Sequence, residues 1–153
     1  MDLFVSKYFN KIDKKGRISL PSSFRNLLPK ANRNQIILYK SLKSPSIEGC
    51  GVGRLKEIAK RINNLDFFSE DYDDFSTSIF SEIVTTNIDK EGRFLIPEEL
   101  KSYAGLKSEA AFFGQGHFFQ IWEPKKGLQN TELSRKRLLE EKKSLRMILT
   151  QQK

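Results

Sequence analysis

Ile12-Asp13-Lys14-Lys15-Gly16-Arg17-Ile18-Ser19-Leu20-Pro21 returns 76 residues later as Ile88-Asp89-Lys90-Glu91-Gly92-Arg93-Phe94-Leu95-Ile96-Pro97, with six of the ten positions identical. A repeat of this kind decides the architecture before any single element is assigned. Gly16 and Gly92 fall where a short turn calls for a positive φ, which glycine adopts without a Cβ penalty. Asp13 and Asp89 stand where an aspartate accepts from backbone amides two residues ahead and braces such a turn. The turn joins two strands. After it, Ile18 and Leu20, or Phe94 and Ile96, alternate with Ser19 or Leu95, the period of two that turns one face of a strand inward. Arg17 and Arg93 therefore start a strand on the face away from the core. Pro21 and Pro97 end that strand and open short helices over 22–28 and 98–104, stopped by Pro29 and Gly105.

Beyond each helix come β-like apolar runs, 35–39 in the first half and 110–113 and 117–122 in the second. Gly114-Gln115-Gly116 is a hairpin signal between the last two. Between the repeats, Leu55, Ile58, Ala59, Ile62 and Leu65 recur at helical spacing, and Phe68, Tyr72, Phe75 and Ile79 do so in an acidic stretch. A third helix is predicted over 131–151, carrying Leu138, Leu145 and Leu149 beside Arg135, Lys136, Arg137, Lys142, Lys143 and Arg146. The expected class is mainly β with helices, an α+β fold. Its divisions are a first repeat at 7–54, an acidic helical linker at 55–81, a second repeat at 82–125 and a basic C-terminal helix at 126–153.

At 153 residues the chain holds one ordinary domain or two small ones sharing a core. No apolar run approaches the roughly 20 residues of a membrane-spanning helix, and the start Met1-Asp2-Leu3-Phe4-Val5-Ser6-Lys7 lacks the layout of a signal peptide, so the chain reads as cytosolic. A single cysteine, Cys50, makes no internal disulfide and reads as a small buried hydrophobe. The 27 Lys and Arg against 19 Asp and Glu leave a net charge of +8, which suits a polyanionic partner. Its distribution is uneven: residues 1–61 carry +10, 62–89 carry -7 with no Lys or Arg, 90–124 carry -1 and 125–153 carry +6.

Little in the chain suits catalysis. His117 is the only histidine, which leaves no histidine pair for a metal and no Ser-His-Asp set with an obvious base. Gly49-x-Gly51-x-Gly53 lacks the Gly-Lys-Ser or Gly-Lys-Thr ending of a phosphate loop and reads as a bend. Glu98 and Glu99 suit a helix N-terminus. No catalytic residue, metal, cofactor or small-molecule substrate is expected, and the chain does not read as an enzyme.

The duplicated Asp-x-x-x-Arg within Asp-x-x-Gly-Arg-x-x-x-Pro resembles the swapped-hairpin AbrB or SpoVT modules. Two copies in one chain, followed by Tyr103-Ala104-Gly105-Leu106, Phe112-Phe113-Gly114-Gln115-Gly116 and Phe118-Phe119-Gln120-Ile121-Trp122, resemble the MraZ family in particular. The likeness runs from about Phe4 to Trp122. It implies two interlocked halves forming a small double-ψ-like β-barrel, a ring-shaped homo-oligomer, and a cytoplasmic or nucleoid location. It also implies a transcriptional repressor that binds short direct repeats upstream of its own gene in the division and cell-wall cluster. One departure stands out, in that Gly49-Cys50-Gly51-Val52-Gly53-Arg54 replaces a smoother apolar strand of the family.

With double-stranded DNA as partner, the residues acquire roles. A two-stranded ribbon enters the major groove, and the planar fork of arginine matches O6 and N7 of guanine. Arg17 and Arg93 become the base-reading candidates, with Asp13 and Asp89 orienting them and Lys11, Lys14, Lys15 and Lys90 contacting phosphates. The competing account is a surface ion pair worth about 0–1 kcal/mol. Two other classes compete as well: an antitoxin-like module, whose tail is ordinarily acidic and disordered whereas this one is basic, and a nucleic-acid enzyme, which lacks a metal cage.

Overall fold

The computed structural model describes residues 2–152. Strand β1 (Lys7–Lys11) leads through the first turn to β2 (Arg17–Ser19) and helix α1 (Ser22–Arg25), then to β3 (Gln35–Lys40) and β4 (Ile47–Cys50). Helices α2 (Val52–Asn63) and α3 (Glu70–Phe80) follow. The second half repeats the order with β5 (Val84–Asn87), β6 (Arg93–Leu95), α4 (Glu98–Ala104), β7 (Glu109–Gly114) and β8 (Phe119–Trp122), and ends in α5 (Pro124–Glu140) and α6 (Leu145–Gln151). The fold is α+β, as the periodicities predict.

The halves interlock by exchanging strands. β1 of the first half pairs with β7 of the second, and β5 of the second pairs with β3 of the first, both antiparallel. β4 and β8 join at the centre, giving a six-stranded sheet in the order β1-β7-β8-β4-β3-β5. β2 and β6 pair only with each other, as a separate two-stranded ribbon. The two strands flanking each turn thus do not form a hairpin with one another, and the ribbon takes one strand from each repeat.

In place of a single continuous barrel ladder the strands form this sheet and this ribbon, joined at their edges through side chains. Asn10 Nδ2 on β1 donates to the Ser19 carbonyl on β2 at 2.8 Å, and Thr86 Oγ1 on β5 donates to the Leu95 carbonyl on β6 at 3.3 Å. These equivalent positions stitch each edge of the sheet to the ribbon without a backbone ladder. The outward-facing backbone groups of the ribbon are taken by the turns in place of a ladder: the Arg17 and Arg93 amides donate to the Asp13 and Asp89 side chains, and their carbonyls accept from the Asp13 and Asp89 amides.

The core lies between sheet and ribbon. Ile18 and Leu20 from β2 and its exit, with Phe94 and Ile96 from β6 and its exit, meet Phe24, Leu100, Phe112 and Phe119. Phe24 stands at 5.1 Å and edge-on to Phe4, and at 5.3 Å from Phe119, the offset geometry that aromatic rings favour. The Gly49 departure has its reason here: β4 is a regular strand, but a Cβ on Gly49 would overlap the Phe119 ring opposite it. Cys50 is fully buried beside it, and burial pushes its thiol up to about 12, which leaves it inert.

Several element boundaries differ from expectation. α1 stops at Arg25, short of 28, while α4 closes at Gly105, whose φ of 67° provides a left-handed cap. Strand β8 begins at Phe119, leaving His117 and Phe118 in the hairpin loop, and Phe68 precedes α3 rather than lying on it. The single helix expected over 131–151 starts earlier, at Pro124, and breaks into two. Lys142 in the break has a φ of 50°, and Ser144 caps the second helix through the Met147 amide. Leucine periodicity survives such a break, which is why it was not visible in the pattern.

Candidate nucleic-acid interface

Each turn is built from its aspartate. Asp13 Oδ1 accepts from the backbone amides of Lys15 and Arg17, both at 2.9 Å, while Oδ2 accepts from Arg17 Nε at 2.9 Å. Asp89 repeats this with the amides of Glu91 and Arg93 at 2.9 Å and with Arg93 Nε at 3.2 Å. Gly16 and Gly92 close the turns at φ of 85° and 82°. The Arg17 amide above all holds the Asp13 carboxyl below the ordinary carboxylate range, against the opposing effect of desolvation, and the Arg93 amide does the same for Asp89. One carboxylate therefore fixes both the turn and the arginine that follows it.

The turns then lock each repeat to the other. The Gly16 carbonyl accepts from the Ile96 amide at 3.0 Å, and the Gly92 carbonyl from the Leu20 amide at 2.9 Å. Across the ribbon Arg17 faces Leu95, Ile18 faces Phe94 and Ser19 faces Arg93. Residues directly opposite in an antiparallel pair share a face, so Ile18 and Phe94 point into the core and both arginines point out on the same side. They occupy diagonal positions, roughly 7–8 Å apart by ordinary strand geometry. Their side chains are about one-third exposed, 33% for Arg17 and 29% for Arg93.

The lysines fall unevenly. Lys14 and Lys15 are exposed on the first turn and Lys90 on the second, whereas Lys11 ends β1 opposite Glu109. Glu91 replaces Lys15 in the second copy, and Arg93 Nη2 meets its Oε2 at 2.5 Å. The Arg17 fork is tied only through Nε, while the Arg93 fork is tied at two of its nitrogens.

Arg25 belongs to the same surface and escaped sequence reasoning. Its Nη1 donates to the Leu20 carbonyl at 2.6 Å, and its guanidinium fills the space that a Cβ on Gly92 would take. Lys101, at the equivalent place in the second repeat, instead approaches Glu98 at 3.9 Å. The identity of residue 25 relative to residue 101 was legible; its reach across the ribbon to the other repeat was not.

Among the described residues no group of three or more His, Cys, Asp or Glu side chains is placed to hold a metal ion, and no helix is long and apolar enough to cross a membrane.

The chain is thus an interlocked tandem repeat whose central ribbon presents two aspartate-clamped arginines on one face. The family profile described as "MraZ protein, putative antitoxin-like" matches residues 79–145. The chain is 37% identical over 146 residues to the transcriptional regulator MraZ of Rickettsia akari (strain Hartford), covering 95% of this chain and 98% of that one. It is 41% identical over 124 residues to the protein of the same name from Rickettsia rickettsii (strain Sheila Smith), covering 81% and 83%. The chain belongs to the MraZ family. The relatives it matches are named as regulators and not as enzymes.

Proposed function

We propose that this protein is a DNA-binding transcriptional regulator that reads sequence with Arg17 and Arg93 and acts as a repressor of a division and cell-wall gene cluster. The observation that carries this reading is the common outward face of the two arginines, each oriented by its own aspartate. A B-DNA major groove about 12 Å wide admits such a ribbon, and each clamped fork suits a guanine edge. Lys11, Lys14, Lys15 and Lys90 would contact phosphates, which position without specifying. In this proposal residues 7–54 and 82–125 are the two reading repeats, 55–81 their acidic linker and 126–153 a basic arm.

Few contacts per protomer call for several protomers. A ring-shaped homo-oligomer holding short direct repeats upstream of its own gene would make each later contact intramolecular and raise affinity without new contacts. Cytoplasm and nucleoid are the compartments this activity requires. The test is a gel shift with the DNA upstream of the protein's own gene, combined with a solution mass measurement. A sequence-dependent shift by an oligomer supports the proposal. Equal binding to scrambled DNA of the same length overturns the sequence-reading part, and a monomer that shifts the DNA fully overturns the assembly part.

A further inference from the structure

Helix α6 is seven residues long and buries none of them, with Leu145 81% exposed and Met147 and Leu149 exposed beside it. Isolated helices below roughly 12–15 residues are marginal in water, so α6 calls for a surface that covers its apolar side. The distal part of α5 is in the same position through Leu133, Leu138 and Leu139, all exposed. Around these leucines stand Arg135, Lys136, Arg137, Lys142, Lys143 and Arg146, against only Glu140 and Glu141. The C-terminal arm is therefore apolar and strongly basic together.

The opposite character occurs once, at α3 and its approach. Residues 62–82 contain no Lys or Arg and six acids, of which Asp66, Glu70, Asp71, Asp73 and Asp74 are exposed. Phe67 and Phe68 lie among them, 64% and 89% exposed and edge-on at 5.3 Å. The helix dipole accounts for Glu70, Asp71 and Asp73 in the first turn. It gives no account of two phenylalanines in water, which mark a contact surface.

We propose that the basic, leucine-bearing arm 133–151 of one copy docks on the acidic, aromatic face of α3 in a second copy. Charge and apolar character match on both sides, and every chain carries both surfaces. Because the surfaces differ, the contact is head-to-tail and propagates until the rotation closes. DNA as the occupant of the arm would satisfy its cations but leave its leucines, and Phe67 and Phe68 ahead of α3, uncovered. The inference rests on the assembly part of the reading above and is independent of whether the ribbon reads DNA.

A charge swap tests it. One full-length chain carries Lys142→Glu, Lys143→Glu and Arg146→Glu; the other carries Asp71→Lys and Asp74→Lys, with folding of each checked by circular dichroism and thermal unfolding. Sedimentation should show the unaltered chain as an oligomer and each variant alone dissociated, with association weakened roughly hundredfold by the like charges. An equimolar mixture should reassemble, because each reversed arm then meets a reversed α3 of opposite sign and each unaltered arm meets an unaltered α3. Folded variants that keep the original mass overturn the proposal, as does a mixture that stays dissociated. The Asp71→Asn, Asp74→Asn chain, which spares the helix from added lysines, should lose mass in the same direction, and an unchanged mass counts against the proposal. A monomeric unaltered chain overturns the assembly itself, and an arm variant that loses only DNA affinity at full mass assigns the arm to DNA instead.

Discussion

The two turns share a backbone and differ in charge. Asp13-Lys14-Lys15-Gly16-Arg17 carries two exposed lysines and an arginine held only through Nε, whereas Asp89-Lys90-Glu91-Gly92-Arg93 carries one lysine and an arginine also held by Glu91. The aspartate clamp and the left-handed glycine are common to both. Duplication preserved what the turn needs to fold, and what changed is how strongly each turn attracts an anion. The second turn receives instead a cation from outside its own repeat, the Arg25 guanidinium packed on Gly92. In the proposed reading, the pseudo-symmetric pair becomes a strong and a weak grip.

The sharpest way to break this comparison is to remove each arginine in turn. Arg17→Ala should reduce specific DNA binding by about 1–3 kcal/mol per protomer, a loss of roughly fivefold to 150-fold, with mass unchanged, and Arg93→Ala should lose less. Equal losses in a quantitative gel shift would mean that Glu91 does not weaken the second grip.

Gly92→Ala and Gly16→Ala should separate in stability. Both place a Cβ at positive φ, at about 1–2 kcal/mol. Only Gly92→Ala must also displace Arg25, since the nearest atom at Gly16 is Leu95 Cδ1 at 3.3 Å. Thermal unfolding should therefore show the larger loss at Gly92, and Arg25→Ala should bring the two substitutions together.

Glu91→Lys should make the second turn like the first. It frees Arg93 and adds a phosphate contact, so binding to every sequence should strengthen and the salt slope should steepen by about one. Lys15→Ala should flatten that slope by a similar amount. A change confined to one base position in either variant would contradict a phosphate role.

The smallest effect concerns acid. The Asp13 and Asp89 carboxyls are held below the ordinary value of about 3.9. Their contribution is therefore complete above that value and is lost as pH falls through the lower folded-state values. Stability measured from about pH 5 downward should fall more in the unaltered chain than in an Asp13→Asn, Asp89→Asn chain. Asp89 is exposed and Asp13 only half-buried, so the difference should be modest, and an identical decline would remove the clamp from the stability of the turns.

Much of the site was legible because its determinants are local. An aspartate, a glycine and an arginine spaced for one turn specify that turn wherever it lies, and Ile18 and Phe94 reveal which face is buried. The clamp on each arginine follows from a separation of four residues across the turn. Arg25 was not legible, because its partners Leu20 and Gly92 lie on different repeats, and Gly92 is 67 residues away. The split between α5 and α6 was also hidden, since the leucine spacing continues across it.

From the chain alone came the duplicated turns, the inward and outward faces of the strands beside them, and the opposite charges of linker and arm, all properties of neighbouring residues. Tertiary structure alone decided that β1 pairs with β7, that β5 pairs with β3, and that β2 and β6 form one ribbon bearing both arginines. Strand partners are chosen by burial and register between distant segments, and an alternating pattern of apolar residues is satisfied equally by several partners until the whole core assembles.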